Sequence, residues 1–147
     1  MNEQLYEGIA KLTLDIIKNV KNINFGGCAR FALYLSDKLD KIGVEHEIIV
    51  FDYYKIADKR KQINNNILNG KKYSLSCNHV MIKIGKYFID GEIIKLGIPS
   101  LYKGDRWGRY SKQDLKLIIK HGIWNKKYST RQDTKVKNLI KKHIKIG

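Results

Sequence analysis

Cys28 stands directly behind Gly26-Gly27 and opens the run Ala29-Arg30-Phe31-Ala32-Leu33-Tyr34-Leu35, whose apolar positions continue through Leu39 and Ile42 at helical spacing. A thiol in the first turn of a helix lies among backbone N–H groups that have no partner inside the helix, and the helix dipole there favours negative charge. Both effects favour the thiolate, the form of sulfur that attacks a carbonyl carbon. The same N–H groups, that of Cys28 among them, would stabilise the oxyanion such an attack creates. A thiol nucleophile also needs a base, and the base needs a group to orient it. His79 and Asp90 are the candidates for these two roles. The competing reading gives Cys28 a packing role behind a glycine turn, with Cys77 as the alternative thiol and His46 as the alternative base.

The elements that must bring these residues together can be read from the apolar pattern. Leu5, Ile9, Leu12, Ile16 and Val20 draw one stripe down a first helix of about 17 residues. The stretch from Asn22 to Gly27 is the loop that delivers the chain to Cys28, Leu35 sits at the centre of the second helix's buried face, and Gly43 caps that helix. Ile48-Ile49-Val50-Phe51 is a continuous apolar run, expected of a strand covered on both sides. In the segment from Tyr73 to Ile84, Val80, Ile82 and Ile84 alternate with His79, Met81 and Lys83; Gly85-Lys86 then makes a two-residue turn into Tyr87-Phe88-Ile89-Asp90. That turn pairs Ile84 with Tyr87 and Ile82 with Ile89. His79 and Asp90 become diagonal neighbours on one face, at the roughly 7–8 Å between Cα atoms that side chains can span.

Residues 55–69 carry scattered isoleucines and predict a weak helix or an exposed excursion, and 91–107 reads as irregular. Ser111-x-x-Asp114 and Thr130-x-x-Asp133 are capping boxes that open two C-terminal helices, the last bearing Lys135, Lys137, Lys141, Lys142 and Lys145 on its outer face. Tyr102, Trp107, Tyr110, Trp124 and Tyr128 are read as completing the core. The expected fold is α+β in a single domain spanning 1–147: N-terminal helices, with the nucleophile helix packed on a small antiparallel sheet, then C-terminal helices.

A helix-borne cysteine, followed by antiparallel strands that present first a histidine and then an acid, resembles the papain-like superfamily and in particular its transglutaminase-like branch. The resemblance rests on Gly26-Gly27-Cys28-Ala29-Arg30-Phe31, Asn78-His79-Val80 and Phe88-Ile89-Asp90-Gly91, and covers roughly residues 22–92. It implies a cysteine hydrolase or acyltransferase acting on an amide or isopeptide bond of a protein or peptide: a thiol protease, a deamidase or a transglutaminase-like enzyme. It further implies a Cys28-His79-Asp90 triad, with Asn24 or Asn22 serving as the upstream oxyanion or positioning group. No metal or organic cofactor is implied.

The charge supports a second class of function. The 147 residues carry 29 Lys and Arg against 14 Asp and Glu, a formal net charge of +15, so the surface attracts acidic partners. The alternative to an enzyme is a basic binding module for nucleic acid or an acidic protein, of the compact, compositionally biased kind that a bacteriophage encodes, with Lys137, Lys141, Lys142 and Lys145 as its contact residues. Four scattered histidines and no Cys-x-x-Cys spacing exclude the usual structural zinc patterns. The opening Met1-Asn2-Glu3-Gln4 has no basic, apolar leader, and no apolar run reaches the roughly 18 residues of a membrane span. The expectation is a cytoplasmic protein with no membrane association.

Overall fold

The computed structural model describes residues 1–52, 79–121 and 127–145. Readings that fall on 53–78, Cys77 and Asn78 among them, and on Trp124 lie outside the described residues. The stripe from Leu5 to Val20 forms α1 (Glu3–Asn19), opened by Asn2, whose side chain accepts from the Leu5 N–H at 2.8 Å. Cys28 is the first residue of α2 (Cys28–Lys41). That helix ends in a Schellman motif: the Gly43 N–H donates to the Asp40 carbonyl and the Val44 N–H to the Leu39 carbonyl. Two further helices follow the sheet, α3 (Lys112–His121) and α4 (Asp133–His143). No helix among the described residues is long and apolar enough to cross a membrane.

The five strands are β1 (Glu47–Asp52), β2 (His79–Ile84), β3 (Tyr87–Ile89), β4 (Ile94–Leu96) and β5 (Arg106–Tyr110), in the spatial order β4-β3-β2-β1-β5 and antiparallel throughout. The chain is thus α+β, with four helices and one antiparallel sheet among the described residues. β1 lies between β2 and β5, which is why it reads as an unbroken apolar run. Ile48 and Val50 join the helix-side core, whereas Ile49 and Phe51 join Met81 and Phe88 on the opposite face. The β2–β3 hairpin has the register that its alternation dictates, Ile82 opposite Ile89 and Ile84 opposite Tyr87. Burying a Leu or Ile side chain contributes roughly 1.5–3 kcal/mol, and α2 supplies Leu35 and Leu39, both 0% exposed, to the layer that meets the sheet.

Three readings of the sequence are corrected here. The stretch read as irregular after the hairpin contains β4, a 3-10 turn (Ser100–Tyr102) and the start of β5. Trp107, on β5, is 39% exposed and lies under the Arg109 guanidinium rather than in the core, whereas Tyr110 and Tyr128 are buried. The Ser111 box forms, with the Asp114 N–H donating to Ser111 Oγ at 3.0 Å; the Thr130 box does not. Ser129 instead caps a 3-10 turn (Thr130–Gln132), and Asp133 turns to other partners: it accepts from the distant Arg30 Nη1 at 2.8 Å and from the nearby Tyr128 hydroxyl at 2.6 Å.

Candidate active site

The loop from Asn22 to Gly27 sets the sulfur. Asn22 takes φ +59, which turns the chain back so that the Phe25 N–H donates to the Asn22 carbonyl. Ile23 is buried beneath the loop, and the space it needs comes from two glycines. A Cβ at Gly91 would meet Ile23 side-chain atoms at 2.5 Å, and a Cβ at Gly27 would meet the Ile23 carbonyl and the Tyr128 ring at 2.7 Å. These close approaches bring the chain after β3 and the start of α2 against the same loop. The helical hydrogen-bond ladder of α2 begins with the Phe31 N–H donating to the Gly27 carbonyl, and no side chain caps the helix. The first-turn N–H groups of Cys28, Ala29 and Arg30 therefore have no partner inside the helix.

His79 is the first residue of β2, and its Cα partner is Phe51. Asp90 leaves β3 and accepts from His79 Nε2 at 2.7 Å through Oδ2. Its other oxygen, Oδ1, accepts from the Glu92 N–H at 2.8 Å and the Ile93 N–H at 3.0 Å, which fixes the carboxylate against rotation. The Cys28 sulfur lies near enough to the His79 ring to act, with Asp90, on its protonation. All three groups are buried: Cys28 is 3%, His79 1% and Asp90 3% exposed. The thiol is free rather than in a disulfide.

Burial by itself would lower the His79 pKa. The hydrogen bond and charge of Asp90, together with the nearby Cys28 sulfur, outweigh that and push it from 6.5 to about 9. Asp90 shows the mirror image. Burial would raise its pKa, yet the His79 bond and charge, the Glu92 N–H and the Asn24 side chain hold it below the ordinary carboxylate value. Both directions favour a protonated imidazole beside an ionised carboxylate.

The oxyanion and positioning residues are only partly where the sequence places them. Asn24 reaches the site, where its side chain helps to lower the Asp90 pKa, and its Oδ1 is buried with no hydrogen-bond partner. Asn22 does not: it is exposed, and its amide nitrogen donates to the Lys127 carbonyl at 3.3 Å. His46, the alternative base, lies beyond the far end of α2, bonded to Ser36. The lysines read as one patch on α4 divide: Lys137 and Lys141 face α2, Lys142 lies 3.7 Å from Asp15 on α1, and Lys145 is exposed beyond the helix end.

Tyr102 is the functional neighbour that sequence reasoning missed. Its ring lies parallel to the His79 imidazole, with centroids 4.8 Å apart and planes 8° from coplanar, and it also stacks on Phe51 at 5.1 Å. A flat aromatic cover keeps water off the imidazolium–carboxylate bond and strengthens it by lowering the local dielectric. Burial, followed by the charges of Asp90 and Cys28, pushes the Tyr102 phenol up to about 12, so it stays neutral beside them. A tyrosine between Pro99 and Gly104 carries no periodic signal that would have assigned it to this ring.

Comparison with protein-family models, with curated proteins and with solved structures finds no match to this chain.

Proposed function

We propose that the chain is a cysteine-dependent hydrolase or acyltransferase acting on an amide or isopeptide bond, with the parts arranged as in papain-like and transglutaminase-like enzymes. The observation that carries this reading is the buried line of sulfur, imidazole and carboxylate from Cys28 through His79 to Asp90, with the His79–Asp90 bond at 2.7 Å. A histidine raised to about 9 is protonated at neutral pH, so the sulfur faces a positive partner before substrate arrives.

In the reacting form His79 holds the Cys28 proton, and attack of Sγ on the carbonyl carbon forms a C–S bond and moves the carbonyl π electrons onto oxygen. The N–H groups that open α2 meet that oxyanion. When the tetrahedral species collapses, the C–N bond breaks and His79 gives its proton to the leaving nitrogen, producing a thioester and a neutral imidazole. Water or an amine then attacks the thioester, His79 takes its proton, and the C–S bond breaks to restore the starting state. Water as acceptor gives hydrolysis and an amine gives acyl transfer. Asp90 stays ionised throughout, because it holds the imidazole in one orientation and stabilises its positive form. Because all three groups are buried, acylation requires a local opening, and Tyr102, half-buried on its short turn, is a cover that must shift.

The test uses an activated ester. Mixing the protein with p-nitrophenyl acetate should release a burst of p-nitrophenolate stoichiometric with protein and leave an acetyl group on Cys28 in the peptide mass spectrum. Cys28→Ala should give no burst. An equal burst from Cys28→Ala, with acetyl found only on lysines, would sink the proposal.

A further inference from the structure

The C-terminal half of α2 and the middle of α4 face each other across a groove of about 400 Å³. Tyr34, Lys38 and Lys41 line one wall, Lys137 and Lys141 line the other, and Ile140 forms part of the floor. On each helix these lysines share a face with their neighbours three or four residues away, so four ammonium groups converge on one channel. Lys137 Nζ lies 4.7 Å above the Tyr34 ring, which holds that cation at the groove wall.

Acids stand near enough to neutralise the lysines, yet they are engaged elsewhere. Asp37, the groove's lining carboxylate, pairs with Lys112 at 2.8 Å, and Lys112 also binds Asp40. Asp133, one turn before Lys137, is saturated by Arg30 and the Tyr128 hydroxyl. Among the described residues, no ion pair joins Lys38, Lys41, Lys137 or Lys141 to a carboxylate. The helix dipole accounts for cations in the last turn of α2, but not for Lys137 or for the convergence of lysines from two helices on one channel. Like charges so gathered repel one another and disfavour the folded state unless an anion joins them.

The wall chemistry discriminates between anions. Carboxylates are best held by the planar fork of arginine, whereas lysine is a point charge suited to phosphate oxygens from any direction. The groove is lined by lysine and no arginine. We propose that the groove between α2 and α4 binds the sugar-phosphate backbone of a nucleic acid strand through Lys38, Lys41, Lys137 and Lys141. The site is separate from the thiol chemistry: Cys28 opens α2 and Lys41 ends it, roughly 20 Å away along the helix axis.

Fluorescence anisotropy of a labelled single-stranded RNA of mixed sequence, titrated at salt concentrations from about 50 to about 200 mM, tests this. Four phosphate contacts predict a log–log salt slope of about −3, equivalent to roughly fifty-fold weaker binding across that range. Changing Lys38, Lys41, Lys137 and Lys141 together to Gln should weaken binding at the lowest salt by at least about tenfold and flatten the slope by about three. The same four positions changed to Arg should retain binding. This arm, with circular dichroism on every variant, separates lost contacts from lost folding. Changing the exposed Lys11, Lys18, Lys86 and Lys95 to Gln removes the same charge elsewhere and should alter binding less than about threefold. The proposal is overturned by equal losses in the two Gln variants, by no retention of RNA or duplex DNA at the lowest salt, or by polyglutamate competing as well as RNA at equal charge, which would make the partner an acidic protein.

Discussion

His79 and His46 are associated with opposite ends of α2, both with side chains largely enclosed, and their hydrogen bonds assign them different work. At His46 the Nδ1 partner is the Val44 carbonyl at 2.9 Å, which can only accept, so Nδ1 carries the proton and Nε2 accepts from the Ser36 hydroxyl at 2.6 Å. Both partners are neutral, and the nearest carboxylate, Asp40, stands 3.9 Å away and is bound by Lys112. At His79 one nitrogen meets a buried carboxylate at 2.7 Å, and the nearby Cys28 sulfur joins that carboxylate in raising the imidazole pKa. A cavity of about 760 Å³ opens beside His46, lined by Asp40, Glu45, Glu47 and Lys83, whereas the His79 ring lies under Tyr102. The charge of an imidazole's neighbours sets which form it holds, and a carboxylate on one nitrogen with a sulfur close to the ring favours the protonated form.

The largest expected effect breaks the comparison directly. General acid–base catalysis by a positioned side chain is typically worth 10²–10⁴-fold, so His79→Gln should cut the rate of Cys28 acylation by about 10² or more, whereas His46→Gln should leave it within about twofold. Stopped-flow release of p-nitrophenolate measures both. If the two variants slow acylation equally, the two histidines do not differ as their partners say.

Stability against pH gives a second contrast. His79 rises from 6.5 unfolded to about 9 folded, so its contribution is complete below pH 6.5 and is lost as pH climbs through 9. Asp90, lowered from 3.8, contributes above that value and loses its share only in acid. Urea melts should therefore show the wild type's advantage over His79→Gln shrinking by about 3 kcal/mol between about pH 6 and pH 9.5, because each tenfold gain in proton affinity on folding is worth about 1.4 kcal/mol. His46→Gln removes two hydrogen bonds and should lose some stability. Parallel curves for wild type and His79→Gln would mean that His79 folds neutral.

What the sequence disclosed was local, and what it concealed depended on distant partners. The hairpin register follows from one alternating run and one turn, so the diagonal pairing of His79 with Asp90 could be read within a dozen residues. The Ser111 box and the Gly43 cap are equally local. Thr130-x-x-Asp133 carries the same signature as Ser111-x-x-Asp114, but Arg30, 103 residues away, competes for Asp133 and wins. β4 and β5 leave little trace in the apolar pattern because both are edge strands. Leu96 is 61% and Trp107 39% exposed, and backbone pairing rather than an apolar face holds them in place. Lys38 and Lys41 have the pattern of a solvated face of α2, and only α4 supplies the opposite wall. The place of Asn24 beside the site is legible in its loop, but which of its possible partners it serves depends on Asp90, far along the chain.

The smallest effect decides the role of Asn24, and its counterpart at the other histidine is Ser36. Ser36→Ala removes the hydroxyl from His46 Nε2 and should cost about 1 kcal/mol in a urea melt, the usual worth of one hydrogen bond, with no change in Cys28 chemistry. Asn24→Ala removes a side chain that helps to lower the Asp90 pKa while the Glu92 and Ile93 N–H groups remain, so Asp90 is held less firmly but stays with His79. Alkylation of Cys28 by iodoacetamide and its acylation by p-nitrophenyl acetate both need the sulfur and His79, but only acylation makes an oxyanion. If Asn24 acts through Asp90, both rates should fall together by a few-fold. If Asn24 instead stabilises the oxyanion, acylation alone should fall, by the roughly 10²–10³-fold that losing such a donor costs, and alkylation should hold. Because its side chain acts on the Asp90 pKa, the expected result is the parallel, modest loss. A selective collapse of acylation would move Asn24 from positioning the carboxylate to contacting the substrate.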